Sequence, residues 1–281
     1  MAKKRRSLED LIKESDPISE QDQFHIDKID SEITDYFNVV NTDRLLKEPK
    51  RSNRWLVEGM FHAAGTSLFV GREKAGKTTI VSQLALAVAQ GSDFLGRKCN
   101  EGLVFYLALE EDRDETKIRL AEMGSKGEEN LQWHFGAIGA NAMEGLRKYI
   151  EKYRPNLIII DTLQKFVKAK DLNDYASTTS TLESIVQFAR DYSCHLLFTH
   201  HMNKSVSNKF QTVRDIDKVM GSAGIAGSVD TIALFTKDDN DNRYLETVQR
   251  YGLSLPKTRL QFAEENKKYS MIEIKRERDK L

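Results

Sequence analysis

The feature that most constrains the fold is the run GREKAGKT between Gly71 and Thr78. It fits the pattern G-x-x-x-x-G-K-[ST] of a phosphate-binding loop, in which glycines let several backbone N–H groups face one anion. The apolar run TSLFV precedes the loop, and residues 78–90 have the length and composition of a helix that stops at Gly91. Because this order of strand, loop and helix points a helix N-terminus at phosphate, the sequence predicts a nucleoside-triphosphate site.

The residues of this loop have separate predicted tasks. Lys77 brings a positive charge to the β and γ phosphates, and the Thr78 hydroxyl can bind Mg²⁺. We therefore expect a nucleoside triphosphate and Mg²⁺ as cofactors. The predicted nucleotide contacts are Gly71, Arg72, Glu73, Lys74, Ala75, Gly76, Lys77, Thr78 and Thr79.

Composition narrows the class of protein. The 43 basic and 43 acidic residues of this 281-residue chain cancel, so any polyanion site has to be local. Cys99 and Cys194 fit neither a zinc spacing nor a disulfide framework, which is typical of a reducing cytosol. No apolar run approaches the ~18 residues of a membrane span, and no apolar stretch follows the basic start as in a signal peptide. These features predict a cytoplasmic protein without a membrane partner.

The distribution of apolar residues divides the chain into three parts. Residues 1–50 are charged and only patchily apolar, which predicts either a flexible segment or an arm that packs on a neighbouring subunit. Residues 51–275 form the predicted ATPase domain, and 276–281 form a charged tail. Within the domain, strand-like runs alternate with helix-like segments, which indicates an α/β fold with a mostly parallel sheet flanked by helices and late antiparallel strands after Tyr244. The strand-like runs after the loop are 103–109, 156–161, 194–201 and 229–235.

A second nucleotide signal is an apolar strand that ends in an acid. Residues 157–160 are apolar and Asp161 follows them. Ligands of open parallel sheets lie at the carboxyl ends of the strands, so Asp161 is predicted to hold Mg²⁺ through water or through the Thr78 hydroxyl. A loop acid or a helix cap would give the same pattern, but the complete phosphate loop upstream favours the metal role.

Two further strands end in groups that suit hydrolysis. The run at 103–109 is followed by Glu110, a carboxylate placed to orient and deprotonate the attacking water, whereas the acids after it can serve only the dipole of the next helix. The run at 194–201 carries His200 and His201 to the same edge of the sheet. Since adjacent strand residues point to opposite faces, at most one histidine is expected to face the γ phosphate. The alternative interpretation of the pair is one buried and one exposed imidazole without a role at the phosphate.

The motifs GREKAGKT, FYLALEED, LIIIDTL and LLFTHHMNKS, in this order and at these spacings, resemble the RecA-type ATPase core of the RepA and DnaB groups of hexameric replicative helicases. The resemblance is strongest to the RepA-like ATPases and covers residues 54–262. It implies a RecA-like P-loop NTPase fold, ATP as the nucleotide, a homohexameric ring and single-stranded DNA as a partner. By this resemblance the phosphate and Mg²⁺ residues are Lys77 and Thr78, the catalytic base is Glu110, the second metal-side acid is Asp161 and the γ-phosphate sensor is His201.

The same resemblance implies a residue supplied by a neighbouring subunit. The segment VQRYGLSLPKTRLQF is similar to the stretch that carries an arginine finger into the next subunit's site, which makes Arg250 the finger candidate. An arginine from a neighbour stabilises the charge that develops on the transferred phosphoryl group. A surface salt bridge on an exposed strand is the other interpretation of Arg250.

Two basic loops are candidates for binding single-stranded DNA. They leave the same predicted edge of the sheet, after Asp161 and after the histidine pair, and each carries a phenylalanine among its basic residues. Basic groups neutralise phosphate and an aromatic ring can stack on a base, whereas acids interleaved in both loops also fit ordinary solvated loops. The nucleic-acid candidates are Lys165, Lys168, Lys204, Lys209 and Arg214.

Together these features predict an ATP hydrolase that moves along single-stranded DNA in plasmid- or phage-type replication. A DNA-binding ATPase of recombination, repair or loading that does not unwind DNA has the same motifs. A nucleotide-gated scaffold with weak turnover is a third possibility.

Overall fold

The computed structural model describes residues 37, 39–49, 54–139, 141–167, 183, 185–202 and 227–272. The chain divides into two compact units, Met1–Arg51 and Ser52–Leu281. The described part of the first contains helix α1 (Thr42–Lys47), which begins after Asn41, whose side chain accepts a hydrogen bond from the Arg44 N–H at 2.8 Å. Most of the predicted N-terminal segment and the predicted tail at 276–281 lie outside the described residues.

The described part of the second unit contains the helices α2 (Lys77–Gln90), α3 (Arg113–Glu122), α4 (Ala142–Tyr153) and α5 (Leu163–Val167), with a further helical segment at 185–191. Its strands are β1 (Trp55–Val57), β2 (Phe61–His62), β3 (Gly65–Gly71), β4 (Val104–Ala108), β5 (Leu131–Phe135), β6 (Leu157–Asp161), β7 (His195–His201), β8 (Thr231–Lys237), β9 (Arg243–Gln249), β10 (Thr258–Ala263) and β11 (Lys268–Met271). Among the described residues, no helix has the length and apolar character that crossing a membrane requires.

Nine of the described strands form one sheet in the order β11-β10-β9-β8-β3-β7-β6-β4-β5. Pairing is parallel from β8 through β3, β7, β6 and β4 to β5, and antiparallel from β8 to β11. This confirms the predicted α/β fold with a mostly parallel sheet, flanking helices and late antiparallel strands. The sequence pattern did not predict β5, because this edge strand buries only Leu131 fully and carries the polar residues Gln132 and His134 on either side of Trp133.

Both faces of the central sheet are buried, which explains the continuous apolar runs of its strands. All five residues of β6 are buried, and Ile158 and Ile159 point to opposite faces and pack in two separate hydrophobic clusters. Helix α2 lies in the first of these clusters and is buried on most of its surface, from Ile80 to Ala89. The phosphate-loop helix is therefore the central helix of one layer rather than a surface helix.

The parallel register brings the predicted site to one edge of this sheet. Gly71 at the end of β3 is level with His201 at the end of β7, and Ala108 at the end of β4 is level with Asp161 at the end of β6. Ile160 pairs with Phe198, which places Asp161 next to Thr199. The carboxyl ends of four parallel strands thus converge, as ligand sites of open α/β sheets require.

Candidate active site

The phosphate loop turns sharply between β3 and α2, and two of its glycines are sterically required. A Cβ atom on Gly71 would lie 2.6 Å from the Phe235 carbonyl oxygen. Gly76 has a φ of 98°, in the left-handed region, and a Cβ there would lie 2.6 Å from the Tyr269 hydroxyl. Helix α2 begins at the next residue, Lys77, so its N-terminus faces the loop as phosphate binding requires.

Lys77 lies buried inside the loop. Its Nζ donates to the carbonyl oxygens of Gly71 at 2.9 Å and Arg72 at 2.8 Å, and it lies 3.1 Å from Nδ1 of His201. Burial lowers the pKa of Lys77, and the negative charges of Asp161, Glu73 and Glu110 oppose that shift. An ammonium group that is removed from water in this way is stabilised by a nearby phosphate anion. The burial of Lys77 therefore fits its predicted role.

The Asp161 carboxylate is buried and accepts three hydroxyl hydrogen bonds. Thr199 Oγ1 donates to Oδ1 at 2.5 Å, while Tyr106 Oη and Thr78 Oγ1 donate to Oδ2 at 3.0 and 3.2 Å. The carboxylate and the Thr78 hydroxyl therefore offer adjacent oxygen atoms, which are the donors that Mg²⁺ prefers. The donor chemistry fits the predicted metal, and these two residues would hold it directly or through water.

The side chain of Glu110 extends from the end of β4, beside Asp161. Its Oε1 lies 3.8 Å from the Lys165 Nζ and its Oε2 lies 3.8 Å from the His201 Nε2. The acids that follow it contribute to the fold. Asp112 caps α3 by accepting from two backbone N–H groups, as expected of an acid at a helix start, and Glu111 forms an ion pair with Arg119. Of Glu110, Glu111 and Asp112, Glu110 is the acid whose side chain faces the phosphate-loop side of the site.

The histidine pair points to opposite faces of the sheet. His201 lies between Lys77 and Glu110, on the same face as Thr199 and the phosphate loop. His200 is buried on the other face, where burial, and to a lesser degree the charges of His201 and Lys77, lowers its pKa to about 4. The structure thus places His201, rather than His200, where a γ-phosphate sensor would have to lie.

Arg250 lies at the opposite end of the strands from the phosphate loop. It follows β9, whose last residue Gln249 pairs with the first residue of β8, Thr231. Its guanidinium donates to the Gly227 carbonyl oxygen at 2.8 Å and lies 3.7 Å from Oδ1 of the buried Asp230. The salt bridge expected under the alternative interpretation is therefore present, and within one chain Arg250 is remote from the loop.

The two predicted nucleic-acid loops are largely outside the described residues. Lys165 lies on α5, where its nearest acidic partner is Glu110. Four further candidates belong to segments of which nothing is described: Lys168, Lys204, Lys209 and Arg214.

Sequence reasoning missed several residues that support the site. In the sequence, Tyr106 is one residue of an apolar strand-like run, and its position two residues before Ala108 places it on the same face as the end of that strand. Behind the loop, Arg243 Nε donates to the Ala75 carbonyl oxygen at 3.2 Å, and the side chain of Gln83 bonds to both backbone groups of Tyr269. No local pattern could have revealed the Arg243 and Gln83 contacts, because they join the antiparallel C-terminal strands to the phosphate loop and α2 across more than half of the chain.

The strand order, the glycine-rich turn into α2 and the Thr78–Asp161 pair define a P-loop ATPase core of the RecA-like class. A family model described as an AAA domain matches residues 31–207, and the chain belongs to that family. Its structure is similar to the crystal structure of a KaiC-like protein from the hyperthermophilic archaeon Pyrococcus horikoshii OT3, with a TM-score of 0.58 over 80% of this chain and 100% of that one. The two sequences are 14% identical, so this likeness shows the fold alone. The search of curated proteins found no match.

Proposed function

We propose that this protein is a Mg²⁺-dependent ATP hydrolase that moves along single-stranded DNA, with a role like that of the RepA- and DnaB-type helicases. Hydrolysis is supported by the position of His201, which lies 3.1 Å from Lys77 and 3.8 Å from Glu110. These three residues lie beside the Thr78–Asp161 pair. The motif resemblance supports the DNA-motor role.

Each residue has a defined task in this hydrolysis. Lys77 binds the β and γ phosphates, and Glu110 orients the attacking water and accepts its proton. His201 contacts both of these side chains, so it is placed to transmit the presence of the γ phosphate from Lys77 to Glu110. Mg²⁺, when bound, would neutralise phosphate charge next to Thr78 and Asp161.

The proposed assembly is a homohexameric ring with ATP between subunits. Arg250 supports this proposal, because its remoteness from its own loop means that it can reach a nucleotide only in a second copy. In a ring, Arg250 of one subunit would complete the site formed by Lys77 and Glu110 of the next.

The test measures ATP hydrolysis by the full chain with and without single-stranded DNA, together with its native mass at several concentrations. Lys77→Ala is the inactive control, and Lys148→Ala on the surface of α4 is the matched control that retains activity. Stimulation by DNA with displacement of a strand from forked duplexes supports the motor. Stimulation without displacement indicates a recombination or loading ATPase, and the absence of hydrolysis even with DNA indicates a scaffold.

A further inference from the structure

We infer that Tyr106 is a positioning residue that fixes the Asp161 carboxylate for binding Mg²⁺–nucleotide. This inference rests on the proposed ATPase function, which assigns Asp161 to the metal side of the site. Its basis is a buried hydroxyl–carboxylate hydrogen bond between neighbouring strands, from Tyr106 Oη on β4 to Asp161 Oδ2 on β6, at 3.0 Å.

The hydrogen bond fixes one particular oxygen of the carboxylate. Oδ2 also accepts from the Thr78 hydroxyl at 3.2 Å, so it is the oxygen that faces the phosphate loop, whereas Oδ1 is held by Thr199 on the other side. Without the Tyr106 hydroxyl, Oδ2 would keep only the Thr78 hydroxyl, which is itself a predicted metal ligand. The carboxylate would then lose the donor that holds Oδ2 in place independently of the metal.

The tyrosine is placed as a rigid donor. Its side chain is fully buried, and its ring stacks on Trp133 with 4.3 Å between ring centroids and an interplanar angle of 21°. Trp133 in turn stacks on Phe135 at 5.7 Å, so the neighbouring strand β5 clamps the ring.

Hydrogen-bond donors to a metal-binding carboxylate matter because they set the direction of the lone pairs that bind the metal. Removal of such a partner typically weakens metal binding about 10- to 100-fold without changing the ligands themselves. A tyrosine that served only the hydrophobic core would instead affect stability and leave the metal dependence unchanged. The two roles therefore predict different results when only the hydroxyl is removed.

Tyr106→Phe removes the hydroxyl and keeps the stacked ring. The matched control is Tyr149→Phe, since Tyr149 also stacks on an aromatic ring, Phe105 at 4.0 Å, and also donates a hydroxyl hydrogen bond, to Gln132 Oε1 at 2.6 Å. Tyr149 lies on α4 and its described partners do not include Asp161. Both changes should lower the melting temperature by about 2–4 °C, the cost of one hydrogen bond in a domain of this size.

The experiment titrates wild type and both variants with a fluorescent ATP analogue, first at increasing Mg²⁺ and then in EDTA. We expect Tyr106→Phe to raise the Mg²⁺ concentration for half-maximal binding about tenfold or more. Its affinity for the analogue in EDTA should stay within about twofold of wild type, and Tyr149→Phe should match wild type in both titrations. An unchanged Mg²⁺ dependence, or an equal loss of binding in EDTA, would overturn the positioning role. If wild type itself showed no Mg²⁺-dependent binding, the proposed ATPase function would fail first and this inference with it.

Discussion

Nδ1 of His201 lies 3.1 Å from the Lys77 Nζ, while the other ring nitrogen lies 3.8 Å from the Glu110 carboxylate. One imidazole therefore lies between the proposed phosphate-binding group and the proposed catalytic base. Under the proposed function, a change in how Lys77 is bonded, for example when it binds a phosphate, would reach the proposed base through this single side chain. His201 is the best placed of the described residues to couple nucleotide binding to hydrolysis.

Replacing Glu110 should separate binding from hydrolysis. Glu110→Gln keeps the size of the side chain but cannot accept the proton of water, so kcat should fall about 10²- to 10⁴-fold while nucleotide affinity changes little. Steady-state ATPase assays and a binding titration with a fluorescent ATP analogue measure the two effects. Glu115→Gln, in the first turn of α3, is the control and should match wild type. Unchanged hydrolysis in Glu110→Gln would show that another group is the base.

Lys165 distinguishes a role at Glu110 from a role in DNA binding. The 3.8 Å ion pair with Glu110 is solvent-exposed, so its loss in Lys165→Met should lower the DNA-free rate only about two- to fivefold. ATPase assays with and without single-stranded DNA measure the effect, with Lys148→Met on α4 as the surface control. If the DNA-free rate stays at the wild-type value and only DNA stimulation is lost, Lys165 contacts DNA and does not position Glu110.

Arg250 can be tested as a residue that acts across an interface. Its salt bridge with Asp230 is partly exposed and should contribute no more than about 1 kcal/mol, so Arg250→Ala should melt close to wild type. As a finger, its loss should reduce hydrolysis about 10³-fold or more. Mixing Arg250→Ala with Lys77→Ala should then restore part of the activity, since some interfaces combine an intact loop with an intact arginine.

The Arg250 role would be refuted if the mixture stayed inactive and the single variant lost stability instead. Asp230→Asn is the comparison for a structural role. Asp230 is buried, pairs with Arg190 at 2.8 Å and accepts hydrogen bonds from the backbone N–H and hydroxyl of Thr66. Its replacement should therefore lower the free energy of unfolding by about 3 kcal/mol, as measured by urea denaturation.

Two buried histidines should make the protein sensitive to acid. Burial lowers the pKa of both His195 and His200 from 6.5 to about 4 in the folded protein. The unfolded chain takes up these protons as the pH falls through 6.5, whereas the folded chain does so only near pH 4. The free energy of unfolding should therefore fall between these two values, by about 3 kcal/mol for each histidine.

Urea denaturation at a series of pH values tests this dependence. His200→Gln should reduce the slope between pH 6.5 and 4, because one of the two groups no longer titrates. Equal slopes in wild type and His200→Gln would mean that folding does not lower the pKa of His200.

Local patterns in the sequence were sufficient to predict the phosphate loop and the parallel strands β3, β4, β6, β7 and β8. The loop glycines, Lys77 and Thr78 lie within one short contiguous segment. The continuous apolar run of β6 directly indicates a strand buried on both faces. Since parallel strands all present their carboxyl ends at one edge, the placement of Asp161 near the loop followed from the same pattern.

Only the tertiary structure decided which side chains hold those groups in place. Tyr106 reaches Asp161 because β4 and β6 are neighbours in a particular register, and Trp133 supports the tyrosine because the weakly patterned β5 pairs beside β4. Arg243 reaches the loop because the antiparallel strands fold back against α2. Periodicity describes which face of its own strand a residue occupies, whereas these contacts depend on how strands distant in the chain pair and pack.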